Sequence, residues 1–568
     1  MIRILAPLFF TIFVLTTSIL AGGTPYTITP DSVYRHVSVL AHDSLEGREV
    51  GEPGEWKAAQ YIRAVFQSAG LEPAGDNGSY FQQFDFIKSI DPGPANSLVV
   101  NGVELKPGEE FMPLQFSASV KFDFDDIVYV GYGITVPEDE GDYDDYRGKD
   151  VAGKAVIIMR SSPKDADENI DFDKYISLTD KIATALNNDA TGVFFVTPED
   201  MEDTVKPRIA AYVHPREIPA VLLRKAGLER LSVDPDNITS ISGETELIQV
   251  RDTGYNVIGY VPARSDTTVI IGAHYDHLGW GGIGSLHRGE TVEIHNGADD
   301  NGSGVAALLE LSRYLGALKD QLHYSLLFIA FSGEENGVLG SGHFAKNMTI
   351  DSSKARMMIN LDMIGRLKEQ DKGLAIMGTG TCTEFKEYFD GLEYDDIRLS
   401  LTESGVGPSD HTPFYNRKIP ALTFFTGPHS DYHKPSDDIE KIYPEGIVRV
   451  TDIVRDLVFH FDSISTPLTY QKTKDTGAGK RRAQFSVSLG VMPDHAAGVK
   501  GLRVDGVIPD RPGARAGVLE GDIVIRMGTT EISDVYDYMS ALGKFRSGDT
   551  AEVVVERGAD TLTLQVVF

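Results

Sequence analysis

Apolar and polar positions along this chain repeat with two different periods, and the places where the period changes divide it. Ala58, Tyr61, Ile62, Val65 and Phe66 recur at helical spacing and Gly70 follows as a stop, which predicts a core-facing helix. From about Lys121 the pattern becomes short runs of β-formers, DIVYVGYGI, KAVIIMR, TGVFFVT and IPAVLL, separated by acidic loops such as PEDEGDYDDYRGKD. That loop lacks the regular carboxylate alternation of a calcium loop and reads as a solvated face. After Asn256 apolar strands and amphipathic segments take turns: TVIIGAH, the helix GVAALLELSRYLGAL, then YSLLFIAFS, ARMMINLDMIG and IPALTFFTG. Such alternation predicts an α/β fold with a mixed, mostly parallel-cored sheet and helices on both faces.

The segments before and after the β-rich stretch share one texture. Residues 120–240 are therefore expected to be an inserted module, with 28–119 and 241–465 as two parts of one domain. The polar run TPLTYQKTKDTGAGKRR predicts a linker over 466–484, which leaves 485–568 as a further small domain. A length of 568 residues agrees with about two to four domains.

Composition removes several function classes. The formal net charge of -31 leaves no basic footprint for phosphates, so no nucleic-acid partner is expected. A single cysteine, Cys382, excludes an intramolecular disulfide framework and any multi-cysteine zinc site, so a metal has to be held by His, Asp and Glu. The opening MIRILAPLFFTIFVLTTSILAGGTPYT has the order of a secretory signal over residues 1–22: Arg3, an apolar run, then small residues. It implies a secreted, periplasmic or cell-envelope location and no membrane contact after cleavage. An uncleaved anchor is the alternative, because the run from Ile4 to Ala21 is nearly long enough to span a bilayer.

Polar side chains stand where the apolar strands end, and in a parallel sheet those ends form one edge. The candidate metal ligands are His274, Asp300, Glu335, Asp362 and His433. Two ions about 3.5–4 Å apart need one bridging carboxylate and further ligands on each ion, and these five suffice if Asp300 bridges. Asp276, two residues after His274 on the same strand end, is placed to accept from the second imidazole N–H and fix its tautomer. Glu334, left over beside a ligand, is placed as a general base. Taken singly, HxD, GADDNGSG and the glutamate pair each have a structural reading as strand end, turn or helix cap. Asp362 within NLDMIG is harder to place that way, since an unpaired charge among apolar residues is costly.

The ordered set AHYDH, GADDNGSG, FSGEENGVLGS, NLDMIG and DYHKPSDD resembles the co-catalytic zinc exopeptidase family of secreted bacterial aminopeptidases and, more distantly, glutamate carboxypeptidase and the transferrin receptor. The resemblance covers about 28–465, including LEGREVGEPGEWKAAQYI and GSYFQQF near the start. It implies one zinc on His274, Asp300 and Asp362 and a second on Asp300, Glu335 and His433, with cobalt or manganese as substitutes. It also implies Glu334 as the base, Asp276 behind His274, and a cis peptide at Asp300–Asn301. GVGPSDHTPFYNRKIPAL resembles the family's segment near the substrate, which places Asp410 and His411 at the pocket. YVGYGI, DDYRGKDVAGKAVII and GVFFV resemble a protease-associated domain, a lid or docking module without catalytic residues. GVIPDRPGARAGVLEGDIVIRMGTTEI resembles a PDZ domain, whose loop Ser488, Leu489, Gly490 and Val491 would take the carboxylate of a C-terminal peptide ligand.

The expected function is that of a metallo-aminopeptidase cutting peptides with a free N-terminus by a metal-activated water. Within one fold the alternatives are a carboxypeptidase or a glutaminyl cyclase. A non-catalytic peptide-binding scaffold is the alternative of another class, and loss of a ligand or of Glu334 would signal it.

Overall fold

Four strands in parallel register carry the centre of the molecule in this computed structural model. They are Tyr324–Phe331, Ser265–His274, Ala355–Leu361 and Ala421–Phe425, side by side in that order. Nearly every residue in them is buried, as expected of strands covered on both faces. Leu247–Val261 runs antiparallel beside Tyr324–Phe331, and Gly373–Met377 antiparallel beside Ala421–Phe425; with their neighbours they complete a nine-stranded sheet. The structure describes residues 26–568 except 137–140, 164–169, 171, 206–207, 209, 211–212, 214, 288, 290, 368–372, 428, 474–486, 494–499, 508–510, 533–536, 539–540, 543, 547 and 559. The signal expected over 1–22 and most of the expected linker lie outside the described residues.

Alternate residues of each central strand belong to different cores. Val269, Ile271 and Ala273 pack with the helices Pro30–Leu40, Pro53–Ser68, Gly304–Gly316 and Pro444–Ser463, whereas Ile270 packs with Phe344 and Phe414 from helices on the opposite face. The side-chain period of two thus sorts one strand between two helix layers. The predicted helix around Ala58 is Pro53–Ser68, with Ala58, Ile62 and Phe66 fully buried. No helix among the described residues is long and apolar enough to cross a membrane.

The inserted module is longer than the expected 120–240. Strand Phe81–Pro92 pairs antiparallel with Leu247–Val261 in a register that ends at Pro92 opposite Leu247, so the chain leaves the main sheet at Pro92 and returns at Leu247. Residues 93–246 between them form a four-stranded and a five-stranded sheet, and Ser97–Val100, Val103–Leu105 and Phe111–Pro113 belong to these. The change of texture near Lys121 falls inside the module, because its first strands carry the same short apolar runs as the domain before them.

Strands between Val491 and Val567 build a separate six-stranded sheet with its own core around Leu489, Val504, Val524 and Val553. This module rests against the insertion. Arg216 and Asp537 form an ion pair with side chains 2% and 0% exposed, and Asn187 Nδ2 donates to Thr529 O at 2.8 Å.

Candidate active site

Each parallel strand delivers its chemistry just beyond its last residue. His274 ends Ser265–His274, Asp362 follows Ala355–Leu361, and Glu334 and Glu335 follow Tyr324–Phe331 after a short turn. Asp300 comes from the irregular turn Ala298–Ser303 that opens helix Gly304–Gly316, and its bond to Asn301 is cis. His433 lies in the loop after Ala421–Phe425. Residues scattered over 160 positions therefore meet at one sheet edge.

Their spacing is that of ligands sharing ions. His274 Nε2 is 3.4 Å from Asp300 Oδ1 and 3.4 Å from Asp362 Oδ1. His433 Nε2 is 3.4 Å from Asp300 Oδ2 and 3.1 Å from Glu335 Oε2. Charge-assisted hydrogen bonds close to about 2.7–2.9 Å. Ligand atoms on one tetrahedral ion with bonds of 2.0–2.1 Å stand about 3.3 Å apart, which is the observed spacing. Asp300 offers one oxygen to each group, the arrangement of a bridging carboxylate. The donor set fits two divalent cations.

The electrostatics demand positive charge at the same place. Burial pushes Glu334 well above the usual carboxylate range, and Asp362, Glu335 and Asp410 push it further against the pull of His274. Burial disfavours protonation of His433, but Glu335 and Asp300 outweigh it and raise the imidazole to about 11. His274 is likewise raised by Glu334, Asp300 and Asp362 in spite of its burial. Imidazoles that hold protons so firmly sit in an anionic pocket suited to cations.

Buried neighbours fix the ligands. The Asp276 carboxylate lies behind His274 and serves a second group as well. Its Oδ1 is 3.7 Å from His274 Nδ1, which lies closer, at 3.3 Å, to the Asp276 carbonyl. Its two oxygens accept from Glu334 N at 3.1 Å and Glu335 N at 3.3 Å, so it holds the turn that carries both glutamates. Asp437 Oδ2 accepts from Asp299 N and Asp300 N, both at 3.0 Å, and Asp437 Oδ1 accepts from Arg366 at 2.9 Å. Asn301 ties the Asp300 turn to the Asp362 strand: Nδ2 donates to Leu361 O at 2.9 Å, and Oδ1 accepts from Met363 N at 3.1 Å. Gly297, at φ +56°, has no room for a side chain, since a Cβ there would lie 2.2 Å from Asp300 O.

The N-terminal segment is stapled beneath the site by Arg48. Its guanidinium is buried and donates to the carbonyls of Tyr275 at 2.7 Å, Asn296 at 2.6 Å and Gly297 at 3.0 Å, and also to Leu40. One side chain thus joins the His274 strand end to the turn that carries Asp300. Arg48→Met strands these buried carbonyls and is expected to cost on the order of 3–5 kcal/mol, read as a lower urea midpoint at unchanged slope.

The SDH stretch is packed behind the ligands. Asp410 and His411 are both fully buried, and Asp410 lies close enough to His274 and Asp362 to feel their charges. Burial raises the Asp410 carboxyl to about 7 and lowers His411 to about 3. The residue of this stretch that touches a ligand is Ser409, whose Oγ donates to Asp362 Oδ2 at 2.7 Å and accepts from Asn360 Nδ2 at 2.8 Å. Ser409→Ala is expected to weaken zinc at the His274–Asp362 position about tenfold or more, measured by competition with a chromogenic chelator.

Two contacts had no announced role in the sequence. Arg48 acts through residues more than 200 positions away, for which spacing gives no signal. His277, second histidine of AHYDH, places Nδ1 2.7 Å from Glu335 Oε1; its closeness to His274 in the motif was the available clue. In the last module Ser488 Oγ accepts from Gly490 N at 3.1 Å, Leu489 is buried, Gly490 has φ +76° and Val491 pairs with Val507.

Comparison with known proteins adds the family. Residues 256–458 match peptidase family M28, and residues 483–567 match the PDZ domain. The chain is 28% identical to the aminopeptidase YwaD of Bacillus subtilis over 257 residues, 43% of this chain and 51% of that protein. It is 31% identical to leupeptin-inactivating enzyme 1 of Streptomyces exfoliatus over 193 residues, 33% of this chain and 39% of that one. The chain thus spans about half the length, or less, of these curated relatives. Among solved structures, an aminopeptidase from Aneurinibacillus sp. strain AM-1 aligns at TM-score 0.46 and 23% identity, over 78% of this chain and 97% of that one. A zinc aminopeptidase from Bacillus subtilis aligns at TM-score 0.47 and 22% identity, over 79% and 97%. The stretch that matches peptidase family M28, residues 256–458, carries every candidate ligand of the paired site, and the stretch that matches the PDZ domain lies beyond it.

Proposed function

We propose that this chain is a di-zinc aminopeptidase that removes N-terminal residues from peptides. The observation that carries the reading is Asp300, with one carboxylate oxygen 3.4 Å from each of two histidines that have separate acidic partners. Zinc held by His274, Asp300 and Asp362, and by Asp300, Glu335 and His433, would supply an acidified water and polarise the peptide carbonyl.

The remaining work belongs to the chain. Glu334 is anchored through its own N–H on Asp276, so its carboxylate is aimed by the backbone and stays beside the ligands. It takes the proton of the attacking water and returns it to the leaving amine. The carboxylates of the pocket also suit the free α-ammonium group of a peptide substrate, which orients the N-terminal residue toward the scissile bond. Curated relatives named as aminopeptidases support the choice of this substrate end.

We further propose export to the periplasm, envelope or medium, supported by the pattern of residues 1–22, and a lid or docking role for residues 93–246 as a protease-associated domain. The PDZ domain is proposed to take a peptide C-terminus at Ser488–Val491. The test of the main reading is elemental analysis together with hydrolysis of amino-acyl amides and of N-blocked counterparts. About two zincs per chain and turnover of the free-amine substrates alone are expected. Turnover restricted to C-terminal residues, or cyclisation of N-terminal glutamine in place of hydrolysis, would reassign the chemistry within the fold. No metal and no turnover would make the chain a binding scaffold.

A further inference from the structure

The imidazole of His277 is fully buried beside the second ligand group and has no part in the ligand set above. Its Nδ1 lies 2.7 Å from Glu335 Oε1, while Glu335 Oε2 lies 3.1 Å from His433 Nε2. One carboxylate therefore faces a different histidine with each oxygen. The two distances separate two kinds of contact. At 2.7 Å the first is a charge-assisted hydrogen bond, whereas two ligand atoms on one ion stand about 3.3 Å apart.

The ring also lies within reach of Asp300 and Glu335 as a candidate third ligand, but its surroundings hold it in place. His277 N donates to Arg48 O at 3.2 Å, which fixes the backbone. Gly297 lies against the ring so closely that a Cβ there would be 2.5 Å from His277 Cδ2. The ring meets His433 edge-on, with centroids 5.8 Å apart. His433 is oriented in turn by its Nδ1–H, which donates to Gly284 O at 2.9 Å and leaves Nε2 facing Asp300 and Glu335.

We propose that His277 is a positioning residue that occupies Oε1 of Glu335 and so presents Oε2 alone to the cation shared with His433 and Asp300. The inference rests on the two-zinc reading. A free glutamate carboxylate can chelate one ion through both oxygens, which fills a coordination position that a hydrolytic site has to keep for water and substrate. A donor on Oε1 removes that option. The histidine also spares the carboxylate an unpaired buried oxygen, which is costly. Outer contacts of this kind are worth about 10–100-fold in metal affinity.

The test is zinc titration of the metal-stripped full chain against a competing chelator, for the wild type, His277→Ala, His277→Asn and His277→Gln, with circular dichroism to show folding. The amide nitrogen of Asn lies where Nδ1 does; that of Gln lies nearer Nε2. Two zincs are expected on the wild type. His277→Ala and His277→Gln should keep the tighter zinc or weaken only one of the two by about 10–100-fold, and His277→Asn should regain most of the loss. Combining His277→Ala with Ser409→Ala should weaken both positions, since the two residues serve different ions. Wild-type affinity at both positions in His277→Ala would overturn the proposal and leave the two-zinc reading standing. An Asn variant as weak as Ala would also overturn it, because the imidazole would then be a ligand itself. Fewer than two zincs on the wild type would overturn both.

Discussion

Glu334→Gln is expected to lower kcat on an amino-acyl amide about a hundred- to ten-thousandfold while both zincs stay bound. Glutamine keeps the length and nearly the shape of the side chain but cannot take a proton. No ligand distance involves Glu334, and its backbone N–H still reaches Asp276, so the site should survive the change. KM should move much less than kcat, because the lost interaction belongs to the transition state. The acid limb of the wild-type pH profile should vanish from the residual activity. That sign follows from the role: a base is lost as it is protonated when pH falls, and burial makes Glu334 prone to protonation. Full activity in the variant would remove Glu334 from the mechanism.

The larger effect on composition is expected from Asp300→Ala. Every other ligand serves one group, whereas Asp300 Oδ1 and Oδ2 face His274 and His433 at 3.4 Å each. Zinc should fall from about two to less than one per chain, and turnover to background. His433→Ala should lose only one zinc, and that contrast distinguishes a bridge from a simple ligand. The turn itself should persist, because it is held without the Asp300 carboxylate: Asp299 N and Asp300 N donate to Asp437, and the Asn301 side chain donates to Leu361 O. A circular dichroism spectrum like that of the wild type, with a lower melting temperature in zinc, is the expected accompaniment, since a ligand that binds only the native state stabilises it by mass action.

How much of this was legible beforehand differs from residue to residue. Asp362 stood out because an unpaired charge among apolar residues is costly, whereas His274 and Glu335 stood out only as members of the ordered set of motifs. The position of parallel strand ends then predicts that such residues converge. His433 was a candidate only as part of the same ordered set, and its spacing to Asp300 and Glu335 comes from the fold. Asp276 was read behind His274, and its carboxylate stands 3.7 Å from that ring, but its hydrogen bonds to the glutamate turn were not foreseen. Its distance from His274 along the chain is short, whereas its contact with the glutamate turn crosses 58 positions.

The amino-acid sequence by itself determined the element types and the parallel core, because hydrophobic period acts locally, and its ordered motifs supplied the candidate ligands. Tertiary structure alone decided which carboxylate oxygen faces which histidine, that Ser409 bonds to Asp362, and that Arg48 joins Tyr275, Asn296 and Gly297. It also decided that the insertion lies between Pro92 and Leu247, since a strand register can be known only when both partners are in place. These are long-range pairings between groups with many equivalent partners in sequence, and only packing selects one of them.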